Sequence, residues 1–161
     1  MKLTTRGRYA VTAMLDLAMH GESGPVALAD ISDRQQISLS YLEQLFAKLR
    51  KGGLVKSTRG PGGGYRLAAP VDTVIVADII EAVHEKVDAT SCGGMQNCLN
   101  HSRCLTHDLW AGLSAQIEEF LKGVSLEDLI NKRPLQPIPL RRGFKPPGKA
   151  TGVDVHSASA S

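Results

Sequence analysis

The sequence predicts a mainly α-helical fold with one small β-wing, and three observations predict it. Apolar residues recur at helical spacing in several separate stretches. Short β-prone runs flank one glycine-rich segment, 58–64. Hydrophobic residues make up 42% of the 161 residues, enough to pack one domain or one domain with a small appendage. That composition excludes a fully disordered chain.

Residues 5–20 place Tyr9, Ala13, Met14 and Leu17 at helical spacing, with Ala10 and Ala18 beside them. Gly21 and Gly24-Pro25 end this first helix. A short helix follows over 28–35 on Leu28, Ala29 and Ile31. Ile37-Ser38-Leu39-Ser40 interrupts, and a third helix is expected over 40–51. Leu42, Leu45, Phe46 and Leu49 form its apolar face, and Gly52-Gly53 is its stop. Residues 54–57 and 65–67 are two strands joined by the tip Thr58-Arg59-Gly60-Pro61-Gly62-Gly63-Gly64. After Pro70, residues 74–87 read as one helix burying Val76, Ile79, Ile80 and Val83. Residues 88–104 form a polar loop holding all three cysteines. A long helix covers 105–122, and Ser125-x-x-Asp128 opens a last short helix with a capping-box pattern. From Arg133 onward lie five of the eight prolines and a run of small polar residues. Disorder is expected there, with weak contacts from Arg141, Arg142, Lys145 and Lys149. The chain thus divides into a helix-and-hairpin unit at 1–70, a loop-and-helix unit at 71–131, and a tail at 132–161.

Charge follows the same division. Residues 1–70 hold ten Lys/Arg against five Asp/Glu; residues 71–140 hold five against ten; residues 141–161 hold four against one. A net charge of +3 therefore hides a basic half joined to an acidic half. Such asymmetry suits a polyanion partner for the first half, although a merely solvated basic surface would look the same. No apolar run reaches membrane-spanning length, and no h-region follows the basic residues of the N-terminus. A cytoplasmic location is expected, and three cysteines there do not suggest a disulfide framework.

Helix, short helix, turn, helix and hairpin in that order describe a winged helix-turn-helix. The third helix then enters the major groove with Ser38, Ser40, Tyr41, Glu43 and Gln44 at its start, and Lys48 one turn on. Gln can bond adenine bidentately and Glu can accept from the cytosine amino group; Ser and Tyr hydroxyls suit phosphates. Ser40-x-x-Glu43 is also a capping box that needs no DNA, and one carboxylate cannot fill both roles fully. The glycine-rich tip lacks the Gly-Lys-Ser/Thr of a phosphate loop and does not join a strand to a helix. As a wing it is apt. Glycines admit the duplex closely, Arg59 can enter a narrow minor groove, and Lys56 and Arg66 flank the tip.

Cys92, Cys98, Cys104 and His107 stand at C-x5-C-x5-C-x2-H in a loop with few apolar residues. A metal centre would order such a loop, and these four ligands satisfy either zinc or an iron–sulfur cluster. The wide gaps suit a polynuclear cluster better than a compact zinc site, and three free thiols in a redox loop remain a further reading. His101 is a rival ligand to His107. On the long helix, Leu109, Leu113, Ile117, Phe120 and Leu121, continued by Val124 and with Trp110 beside them, form one apolar face. A second copy of the chain would cover it, as would intramolecular packing. An enzyme reading lacks support, because no general base is placed near a cysteine.

Residues 1–11 (MKLTTRGRYAV), 37–46 (ISLSYLEQLF) and 59–65 (RGPGGGY) resemble the Rrf family of winged-helix regulators, and the likeness covers about 1–131. With its spaced cysteines and His107 the chain is similar to the branch of that family that controls iron–sulfur cluster assembly genes. That resemblance implies a homodimer on duplex DNA at promoter operators, as repressor or activator. It implies a [2Fe-2S] cluster on Cys92, Cys98, Cys104 and His107, with the cluster assembly machinery as donor. Apo and holo forms would favour different DNA sites. Alternatives are a nitric-oxide-sensing [4Fe-4S] repressor of the same family, against which His107 and Glu43-Gln44 speak, and a structural zinc-binding adaptor.

Overall fold

The computed structural model describes residues 4–132, so the expected disorder beyond Lys132 lies outside the described residues. In chain order the elements are α1 (Thr5–His20), α2 (Leu28–Gln35), α3 (Leu39–Lys51), β1 (Val55–Thr58), β2 (Gly64–Leu67), α4 (Val76–Ala82), α5 (His107–Lys122) and α6 (Leu126–Ile130). The fold is mainly helical with a two-stranded antiparallel wing. No helix among the described residues is long and apolar enough to cross a membrane.

The helices α1 to α4 form where their apolar spacing points inward. Ala10, Ala13, Met14 and Leu17 of α1 meet Ile31 of α2 and Leu42, Leu45, Phe46 and Leu49 of α3 in one core. Phe46 is fully buried, and a side chain of that size stabilises by about 2–3 kcal/mol through burial. Val74, Ile79, Val83 and Leu126 belong to the same core, so residues on both sides of position 70 share it. Chain segments 74–76 and 124–126 are stitched together, with Val76 N–H donating to the Val124 carbonyl and Leu126 N–H to that of Val74, each at 2.9 Å. The Ser125–Asp128 capping box forms as the pattern predicts.

Three expectations need correction. The helix expected over 74–87 stops at Ala82. His84 takes a left-handed φ of 58°, its N–H bonds the Glu81 carbonyl, and Glu85 N–H bonds that of Ile80. This is a Schellman ending with histidine where glycine is usual, so no glycine advertises it. Tyr9 is 37% exposed instead of buried, and its ring packs edge-on against Tyr41 at 6.0 Å between centroids. Ser38, not Ser40, caps α3, accepting the Tyr41 N–H at 3.3 Å. Glu43 therefore sits outside the capping position.

The wing is pinned to the helical core. Strand register pairs Val55 with Leu67, Lys56 with Arg66, Ser57 with Tyr65 and Thr58 with Gly64. Tyr65 exchanges both backbone hydrogen bonds with Val26, at 2.9 and 2.8 Å, and its ring lies edge-on to buried Phe46. Gly64 is required here, since a Cβ on it would lie 2.3 Å from the Val26 carbonyl oxygen.

Candidate nucleic-acid interface and metal centre

The start of α3 and the wing offer one set of polar groups. Ser38, Ser40, Glu43 and Gln44 are exposed, while Tyr41 and Lys48 are half-buried. No hydrogen bond or ion pair among the described residues holds the Glu43 carboxylate. Lys56, Arg59 and Arg66 are exposed. Lys56 and Arg66 are direct cross-strand partners. Like charges placed so destabilise a ribbon, and a polyanion between them removes that cost. Sequence reasoning left out Arg50, exposed on α3, whose guanidinium donates to the Ser57 hydroxyl at 3.4 Å and ties the helix to the wing.

The cysteine loop folds back on the first turn of α5. His107, the first residue of α5, is buried. Its Nδ1 lies 3.6 Å from the Cys92 sulfur and 3.3 Å from that of Cys98. Ligand atoms of Cys92, Cys98 and His107 all fall within 4.8 Å of one another. Cys104 falls outside that group, and its sulfur lies 4.0 Å from the Thr106 hydroxyl. His101 is exposed and not among the converging groups.

The turns that bring the sulfurs inward are tight. Gln96, Asn100 and His101 all have positive φ, as does the Gly93-Gly94 pair. Asp88 orders the loop's entry by accepting from the Thr90 N–H at 2.7 Å and hydroxyl at 2.6 Å, while the Thr90 hydroxyl oxygen accepts the Gly94 N–H at 2.8 Å. Sequence reasoning missed these two residues, although Asp-x-Thr is the signal for such a turn. The Thr90 hydrogen bonds hold the Asp88 carboxyl below its ordinary value.

The three thiols are electrostatically linked. Burial opposes ionisation of Cys92, yet hydrogen bonding from Cys98 and from the Gln96 backbone brings its thiol down to about 6. Cys104 is lowered chiefly by its hydrogen bond with Cys98. Cys98 is raised: a backbone hydrogen bond to Cys104 favours its thiolate, but burial and the two neighbouring sulfurs outweigh it. Thiolates are the form that binds metal. Soft sulfur donors with an imidazole, converging in a loop that has little apolar packing, fit an iron–sulfur centre.

Comparison with known proteins shows the family to which this fold belongs. The family described as "Rrf2: Iron-dependent Transcriptional regulator" matches residues 3–132. The HTH-type transcriptional regulator IscR of Aliivibrio salmonicida is 59% identical over 144 residues, covering 89% of this chain and 86% of that protein. Among solved structures, IscR of T. potens is 40% identical with a TM-score of 0.67, covering 82% of this chain and 88% of that one. CymR, the global cysteine regulator of B. subtilis, is 34% identical with a TM-score of 0.70, covering 83% and 99%. These relatives are transcriptional regulators, not enzymes. Matched over nearly all of its described length, the chain belongs to the Rrf2 family of winged-helix transcriptional regulators.

Proposed function

We propose that this regulator senses iron–sulfur status through a [2Fe-2S] cluster held by Cys92, Cys98, Cys104 and His107. It binds promoter DNA as a homodimer and controls iron–sulfur cluster assembly genes, and its apo and holo forms prefer different sites. The carrying observation is the convergence of two thiols and a buried imidazole within 4.8 Å, with Cys104 adjacent but outside. The wide x5 gaps between the cysteines favour a polynuclear cluster over a compact zinc site. Relatives named IscR support the regulatory part of the reading.

The cluster, once bound, supplies electron transfer and chemical lability. The chain's own residues do the rest. Asp88 and Thr90 fix the loop, and His107 is oriented by its place at the start of α5. Histidine in place of a fourth thiolate would raise the potential and make retention depend on pH. Ser38, Ser40, Tyr41, Gln44, Lys48, Lys56, Arg59 and Arg66 are the DNA contacts, with Glu43 as the discriminating group. The apolar face of α5 supports the dimer, since Leu109 is 61% and Trp110 41% exposed in the single chain. The cluster assembly machinery is the donor, and the cytoplasm is the place of action.

The deciding experiment is iron and acid-labile sulfide analysis on protein purified without air. About two of each per chain is expected for this reading. About four of each would favour the nitric-oxide-sensing relative, and one zinc without sulfide the structural adaptor.

A further inference from the structure

We infer that Glu85 is the positioning residue that carries the state of the cysteine loop to the DNA-reading helix. This rests on the cluster-sensing reading above and names the element that would transmit it. Glu85 follows the left-handed His84 at the end of α4, at the root of the loop that holds the cysteines. It is 8% exposed. One carboxylate oxygen accepts the backbone N–H of Thr4, the N-cap residue of α1. Thr4 has no side-chain cap hydrogen bond of its own at this helix start, so the Glu85 carboxylate serves the positive end of α1. The other oxygen, Oε2, is buried with no hydrogen-bond partner among the described residues. Arg6 adds a second tie, its guanidinium donating to the His84 carbonyl at 3.5 Å.

The same end of α1 touches the reading helix. Tyr9, one turn beyond Thr5, packs edge-on against Tyr41 at 6.0 Å and 75°. Tyr41 lies in the first turn of α3, two residues before Glu43. A continuous set of contacts therefore runs from the loop root through Glu85 and Thr4 to Tyr9, Tyr41 and the start of α3.

The Glu85 carboxylate is not needed to end α4, because the backbone bonds of His84 and Glu85 already do that. Nor is it needed for the core, which Ile79 and Val83 serve. Among the described residues it has one hydrogen bond and one unpartnered oxygen, which leaves the contact two options. The carboxylate either stays in and holds α1, or moves out and gains water on both oxygens. A loop ordered by bound metal and a loop without it bias that choice differently, which is what coupling between sites requires.

The test uses the full chain with its cluster, and the same chain carrying Cys92→Ala as the apo form. Each is titrated on two duplexes, one preferred by each form. Wild type is expected to change its site preference by about tenfold or more between forms, the usual size of such coupling. Glu85→Met, which keeps the volume and removes the acceptor, should bring that change to within about twofold while iron, sulfide and melting temperature stay as in wild type. Glu85→Gln, which keeps an acceptor oxygen, should restore most of it. Tyr9→Leu should uncouple the other end in the same way.

A Glu85→Met protein with the full change in preference overturns the inference. So does one that loses iron and sulfide, since Glu85 would then support the metal site itself. Should Glu85→Met fail to fold, Tyr9→Leu decides, and a retained preference change there overturns it. If wild type shows no change between forms although iron and sulfide are bound, the sensing reading fails first.

Discussion

Asp16 of α1 is buried, and Arg34 and Gln35 at the end of α2 close around its carboxylate. Arg34 donates through Nε and Nη2, the latter at 2.7 Å, and Gln35 at 2.7 Å. Burial alone would push the Asp16 carboxyl up, but the hydrogen bonds from Arg34 and Gln35 and the Arg34 charge outweigh it and hold it below 3.8. A carboxyl lowered on folding contributes its stability fully above the unfolded value, and that contribution is lost as pH falls through the folded one. Asp16→Asn should therefore cost about 2 kcal/mol at neutral pH, less than a fully buried pair because Arg34 is partly exposed. Its stability should also fall less steeply than wild type below about pH 4. Urea denaturation across that range measures both, and parallel curves for the two proteins would remove Asp16 from the acid response. At the proposed DNA interface, no hydrogen bond or ion pair among the described residues holds Glu43. Glu43→Ala should widen the range of duplexes bound while changing affinity for the best one by less than about threefold, as base-selection experiments would read. An unchanged selection would make Glu43 a bystander. Ser38 as the cap was hard to see in the sequence, because Ser40-x-x-Glu43 offers the more familiar pattern two residues later.

At the scale of elements, the wing depends on its contact with the segment before α2. Gly64→Ala would drive a methyl group to 2.3 Å from the Val26 carbonyl, so the Val26–Tyr65 bridge must open. A loss of about 1–3 kcal/mol is expected from such overpacking. DNA affinity should fall with it, because the wing no longer sits beside α3. Thermal melting and a DNA titration measure these together; a variant that melts like wild type would show that the wing is independently held. The helices α1, α2 and α3 were legible because their apolar spacing is long and regular, and α2 has the bounds expected for it. The end of α4 was not, since the left-handed residue is His84 and the apolar pattern runs on through Val83 and Val87. Packing of the chain reversal, not local composition, stops the helix there.

For the whole molecule, two properties follow from charge and from the open face of α5. Basic groups on α3 and the wing predict that DNA affinity drops steeply with salt, by about tenfold or more between 50 and 200 mM. An affinity flat over that range would leave the basic half without a polyanion partner. Leu113 and Ile117 of α5 are only half-buried in one chain, whereas Phe120 and Leu121 pack against Val76, Ile80 and Val124. Ile117→Glu should shift sedimentation from dimer to monomer and weaken operator binding by more than about tenfold, since two half-sites are no longer read together. A variant that stays dimeric would move the interface elsewhere.

Sequence alone determined the order of elements, the basic reading half, the glycine-rich wing tip and the four metal-ligand candidates. Those are carried by local spacing and residue type, which need no partner in space. Only the tertiary structure decided which histidine faces the sulfurs, with His107 inside the group and His101 outside. It alone joined Thr4 to Glu85, 81 positions apart, and set Lys56 opposite Arg66. It also gave residues on both sides of position 70 one core. These are contacts made by chain reversals and packed helix faces. Their geometry depends on how distant apolar surfaces fit together, and periodicity along the chain carries no record of that fit.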